Sequence, residues 1–220
     1  MNKGLMEKRL KRALRVIKQG IVTCKEVGCM VDGVSGLPSI IYIRTLDLRG
    51  YLDLALKNRI RAKLGHSSLP IEISGNWSRK TRNFDLTEWY RVKELRQHFC
   101  LGVPWNQIES VTKKRYLLDR GYIVSDAHSH EELDLRLNSH DLLFDKIKNN
   151  EGLSSDWEHL VQLNISESGG LYWGPDGQHR IAMAVILGIE FIPMKLSYVH
   201  PEGKWMLDHL LPDSEQEQNE

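Results

Sequence analysis

Between Leu171 and Leu187 the chain passes from a short apolar run, Leu171-Tyr172-Trp173, through Gly174-Pro175-Asp176-Gly177-Gln178-His179-Arg180 into an apolar stretch, Ile181 to Leu187. No other segment narrows the fold as much. Two glycines around a Pro-Asp pair specify a turn whose backbone can come close to a ligand. The basic pair His179-Arg180 then opens a helix, whose unpaired N–H groups already favour an anion. Strand, turn and helix in that order describe a compact α/β unit, and the turn has the composition of a phosphate cradle.

With Asp176 as the N-cap, Gly177, Gln178 and His179 fill the first helical turn. A phosphate there would receive backbone hydrogen bonds, the guanidinium fork of Arg180 and the imidazole of His179. Asp176 has two readings. As an N-cap it contributes roughly 1 kcal/mol. As a chemical group it shares Mg²⁺ with phosphates or accepts a proton from a hydroxyl nucleophile. His179 can equally bond to a neighbouring strand. Arg180, followed by Ile-Ala-Met-Ala-Val-Ile, needs a partner, either a phosphate or an internal carboxylate such as Asp156 or Glu158.

The flanking segments support the α/β reading. Val161 to Ile165 reads as a strand, and Ser168-Gly169-Gly170 as the turn into Leu171–Trp173. The helix 178–187 stops at Gly188, and Phe191 to Tyr198 reads as a buried strand. Upstream, Ile40 to Ile43 and Ile71 to Ser74 are short β-rich runs, and Tyr51 to Leu64 reads as a helix stopped by Gly65. Asp85 and Glu88 have capping-box spacing for a helix running to about Cys100. Further helices are expected from about Asn106 to Leu118 and, capped by Ser129 and Glu132, on to Asn149 with a break near Asn138. Residues 5–19 form a basic amphipathic pattern with Leu10, Leu14 and Ile17 on one face. The expected organisation is a mainly helical N-terminal region with short strands (1–125), a compact α/β domain that carries the turn (126–212) and a disordered acidic tail (213–220).

Composition bounds the function classes. Thirty Lys and Arg against 29 Asp and Glu leave a net charge of +1, which argues against a protein held on DNA by global charge. The apolar runs fall short of the ~20 residues that span a bilayer, and the basic N-terminus lacks the apolar block of a signal peptide. Cys24, Cys29 and Cys100 form no paired framework or zinc spacing, which suits a reducing cytoplasm.

Other constellations carry less. Trp77, Trp105 and Trp205 can be core residues or the lining of a pocket. Arg79, Lys80 and Arg82 after Trp77 can be a solvated basic loop or a polynucleotide contact, with the indole stacked on a base. Lys113-Lys114-Arg115 reads as an exposed helix face. His128, His130, Glu131 and Glu132 read as a polar helix start rather than a metal site.

The stretch from about Leu142 to Tyr198 resembles the ParB/sulfiredoxin-like domain. The residues that carry the likeness are Lys146-Ile147-Lys148-Asn149, Val161 to Ile165, Asp176-Gly177-Gln178-His179-Arg180, Ala182/Ala184, Leu187-Gly188 and Ile192-Pro193-Met194-Lys195-Leu196. The resemblance implies an α/β (α+β) mixed-sheet fold in the C-terminal third and nucleotide binding, ATP or CTP with Mg²⁺. It makes Gly174, Gly177, Gln178, His179 and Arg180 the phosphate contacts and Asp176 the catalytic or Mg²⁺-orienting residue. It implies a kinase or nucleotide hydrolase, with a nucleic-acid module switched by nucleotide as the alternative. Gln178 stands where sulfiredoxin has its reactive cysteine, and about twenty residues after the last strand leave no room for the helix-turn-helix that ParB proteins carry there. Gly75-Asn76-Trp77, Gly102-Val103-Pro104-Trp105 and His200 with Trp205 resemble a subset of this superfamily to which no settled activity belongs. They add His200 to Trp77, Arg79, Lys80 and Arg82 as candidate pocket or nucleic-acid contacts.

Overall fold

The computed structural model describes residues 30–31, 40–53, 55, 58, 71–149, 152–153, 160–174 and 176–210. The basic pattern 5–19, Cys24, Cys29, most of the expected helix 51–64, Asp156, Glu158 and the tail 213–220 lie outside the described residues. The fold is mixed α/β. Among the described residues eight strands make one sheet: β1 Met30–Val31, β2 Ile41–Arg44, β3 Leu48–Tyr51, β4 Ile71–Ile73, β5 Arg82–Asn83, β6 Val161–Ile165, β7 Leu171–Trp173 and β8 Phe191–Val199. The order is β1-β4-β8-β6-β7-β3-β5, with β2 also paired to β8. Pairs β3–β7, β4–β8 and β6–β8 are parallel and the others antiparallel. The sheet therefore takes strands from both ends of the chain. The helices are α1 Tyr90–Phe99, α2 Glu109–Asp119, α3 His130–Asn149, α4 Gln178–Leu187 and α5 Met206–Leu210.

Burial explains the central elements. Strand β8 is apolar almost throughout, as a strand covered on both faces must be, and Ile192, Met194 and Val199 are fully enclosed. Helix α4 follows β7 and sinks Ile181, Ala182, Met183 and Ala184 completely, while α1 and α3 pack against it. The main core joins these residues to Leu163, Ile165 and Trp173 of the sheet and to Trp89, Val92 and Leu95 at and within α1. A separate cluster of Ile108, Val111, Leu118, Ala127, Leu133 and Leu137 ties α2 to α3. Where β6 meets β8 the register slips between Leu163 and Asn164. The buried Asn164 repairs the slip: its Oδ1 accepts from Tyr198 N and its Nδ2 donates to Tyr172 O. A buried amide leaves neither peptide group unpaired.

Several expected boundaries move. Tyr51 closes a strand instead of opening a helix, because it pairs with Trp173 on one side and Arg82 on the other. Asp85 is not a helix cap: its Oδ1 accepts from the backbone and hydroxyl of Thr87, and α1 begins only after Trp89. A 3₁₀ turn at Trp105–Gln107 precedes α2. No break occurs at Asn138, because the buried stripe Leu133, Leu137, Phe144, Ile147 keeps its helical spacing across it. The capping pair at the start of α3 does form: Glu132 N donates to Ser129 Oγ, and the Glu132 carboxylate accepts from His128 N.

Candidate anion site at the start of α4

The turn after β7 is held by β6. Gly174 N donates to Gln162 O, and a Cβ at Gly174 would lie 3.0 Å from the Gln162 side chain. Gly177 has φ +87, and a Cβ there would come within 2.8 Å of Val161. Both glycines thus face the sheet. They permit tight packing of the turn on β6, and the Gly174 amide is already used. Gly177, not Asp176, is the N-cap of α4, and it offers no side-chain acceptor to the first turn. Asp176 is exposed beside it.

Arg180 is half-buried on that first turn. Burial lowers its hold on its proton, and the charge of Asp176 opposes this.

His179 turns towards α1. Its Nε2 lies 2.8 Å from Arg91 Nη1. A guanidinium has no acceptor, so Nε2 must accept and the proton sits on Nδ1. Arg91 Nη2 also reaches Gln178 Oε1 at 3.5 Å and Tyr90 Oη at 3.0 Å. The imidazole of His140, from α3, lies against that of His179 with ring centroids 3.8 Å apart. Lys114, from α2, donates to the buried Glu94 of α1. Burial first, then Arg91 and Lys114, push His140 from 6.5 down to about 4, with Glu94 and Asp141 opposing. The same desolvation, with Arg91, His140 and Lys114, holds His179 at about 2. Arg91 Nε and His140 Nδ1 are buried with no hydrogen-bond partner among the described residues.

Four helices therefore bring Arg91, Lys114, His140 and His179 together. Residues 91, 114 and 140 carried no motif. Each sits on a helix that reads as ordinary amphipathic sequence, and only the folded packing assembles them. Lys114 and Arg115 are not a plain exposed face. Lys114 pairs with Glu94, and Arg115 pairs with Asp134 and lies 3.2 Å from His130.

The remaining candidates are elsewhere. Trp77 is fully buried with Leu52, Ile71, Ile73 and Tyr198, and its Nε1 donates to Ile73 O at 2.8 Å. His200 is 4% exposed, donates from Nε2 to Gly75 O and accepts at Nδ1 from Glu202 N. The Gly75, Trp77 and His200 elements meet, but as scaffold. Trp105 stacks on His98 at 3.9 Å, and both bond to Asp141. Trp205 lies over Gly169. The three tryptophans line no common pocket. Arg79 faces Glu167, and Arg82 faces Asp53 and lies over the Tyr51 ring, so neither presents an unopposed charge to a polynucleotide. Of Lys80, only its place in a 3₁₀ turn is described. Cys100 is an exposed thiol. No group of three or more metal-ligating side chains occurs among the described residues, and none of the described helices is long and apolar enough to cross a membrane. No family model, curated protein or solved structure matches the chain.

Proposed function

We propose that the protein binds a nucleoside triphosphate, ATP or CTP, with Mg²⁺ at the first turn of α4 and transfers or hydrolyses a phosphoryl group. The observation that carries this reading is the half-buried Arg180 guanidinium on a helix start that no side chain caps. A buried cation in that position is stabilised by an anion, and the first-turn amides of α4 lack a side-chain cap. The resemblance of residues 142–198 to the ParB/sulfiredoxin-like domain points the same way.

In this reading Arg180 and the amides at the start of α4 hold phosphate oxygens. Asp176, exposed on the turn, suits an Mg²⁺ that takes its other oxygens from the nucleotide. Such a metal would neutralise phosphate charge. The chain itself supplies position and charge, which are most of what phosphoryl transfer demands. Titration calorimetry of ATP and CTP with Mg²⁺ tests the reading. Arg180→Ala should abolish binding in a protein that still melts cooperatively, whereas Asp176→Asn should retain binding and lose turnover. Unchanged affinity in Arg180→Ala refutes the assignment.

A further inference from the structure

Gly75-Asn76-Trp77, His200 and Trp205 have no part in the turn before α4, yet in the fold all of them brace two other loops. Strands β4, β8 and β6 are neighbours and run parallel. The space outside the carboxyl ends of such strands is where an α/β sheet usually receives a ligand. The loop after β4 is pinned by Trp77 Nε1, which donates to Ile73 O, and by His200 Nε2, which donates to Gly75 O. The loop after β6 is pinned by His200 N, which donates to Ile165 O, and by Ser166 N, which donates to Gly170 O. Trp205 lies over Gly169, and a Cβ at Gly203 would run into Ser166 O. His200 thus holds both loops, and Glu167 N joins them by donating to Ser78 Oγ at 3.4 Å.

Between these loops lies an open cleft of about 330 Å³, whose lining includes Ser78, Arg79, Asn83, Ser166, Glu167 and Tyr172. That volume is in the range of small-molecule sites. Ser78, Ser166 and Tyr172 line it although each is more than nine-tenths buried, so its polar groups are held in place by the fold. The cleft has one cation and one anion, and they face each other: Arg79 Nε and Nη2 donate to the Glu167 carboxylate at 3.4 and 3.5 Å. The other polar groups are hydroxyls and an amide, which both donate and accept. A simple ion would meet a charge of its own sign here. A vicinal diol would not: one hydroxyl accepts from Arg79 while the next donates to Glu167, bridging a pair whose direct bonds are long. We propose that this cleft binds a neutral polyhydroxyl compound of monosaccharide size. It adjoins the carboxyl end of β6, whereas the turn before α4 is bonded near the start of that strand through Gln162, so the proposal is independent of the phosphate site.

Amide NMR titrations with D-glucose, D-galactose, D-ribose and myo-inositol test this, with glycine and inorganic phosphate as charged comparators. At least one polyol should bind with a Kd of about 1 mM or tighter and shift amides within 78–83 and 166–172. Arg79→Ala and Asn83→Ala, both at exposed positions, should each weaken that polyol about tenfold in a protein that still melts cooperatively. Arg180→Ala should leave its affinity unchanged. No shift with any of the four polyols, or shifts confined to other parts of the chain, overturns the site. Glycine or phosphate shifting these amides in place of the polyols overturns the neutral ligand class. Polyol affinity indifferent to both loop variants overturns the assigned contacts. The wild-type titration decides even if a variant does not fold.

Discussion

Acid should destabilise this protein through one pair of side chains. In the unfolded chain an imidazole titrates near 6.5, while in the fold His140 titrates at about 4 and His179 at about 2. Both folded values lie below the unfolded one. The unfolded state therefore binds more protons, and stability is full above about pH 6.5 and falls as the pH drops below it. At pH 5 the distance from 6.5 is about 1.5 units, or roughly 2 kcal/mol for each ring. Both rings are partly open to solvent, and halving the sum for screening leaves about 2 kcal/mol for the pair. The comparison is between wild type and His140→Gln/His179→Gln, by urea unfolding at pH 7.5 and pH 5. Glutamine leaves Arg91 an acceptor and removes the titration. Wild type should lose about 2 kcal/mol more than the double variant between the two pH values, since other groups contribute equally to both. Equal losses in the two proteins would show that the imidazoles titrate normally and are not desolvated as described.

Two backbone and packing features are open to direct measurement. Gly177→Ala forces a Cβ to within 2.8 Å of Val161 at φ +87, whereas Gly188→Ala, at φ +66, meets nothing within 4 Å. Gly188→Ala should cost about 1 kcal/mol from the left-handed backbone alone, and Gly177→Ala about 2–3 kcal/mol, read from urea midpoints. Equal costs would mean that the turn does not pack on β6. Trp77→Phe shrinks a fully buried ring and strands the Ile73 carbonyl, and should lower stability by about 2–3 kcal/mol in a thermal melt.

The parts of the fold that could be read from sequence are those specified by neighbouring residues. Strand 161–165, strand 171–173, helix 178–187 and its stop at Gly188 all coincide with the structure. In that region apolar runs, glycines and a basic pair follow one another within a few residues, and local propensity agrees with burial. Upstream, the same kind of signal misled. Asp85 and Glu88 have the spacing of a cap, but an Asx turn to Thr87 competes for the same carboxylate, and α1 starts where Trp89 enters the core. Tyr51 carries no strand signal strong enough to reveal that Trp173, far along the chain, would pair with it. Tertiary pairing overrode propensity there.

The candidate site divides along the same line, and the division bears on what the turn is for. Its glycines read in sequence as room for a ligand. In the fold that room is taken by Gln162 and Val161, so the glycines serve the contact between turn and sheet. What the turn presents is side chains: exposed Asp176 and half-buried Arg180, and His179, against which Arg91, Lys114 and His140 gather from three helices that no short pattern links. A motif of seven residues can fix the entry to a helix, but it does not set the environment of its own histidine. That environment comes from packing α1, α2 and α3 beside α4, and losing the α1 residue Arg91 should therefore let the His179 pKa rise from about 2 towards 6.5 in an NMR titration, whereas an unmoved value would show that Arg91 does not act on it.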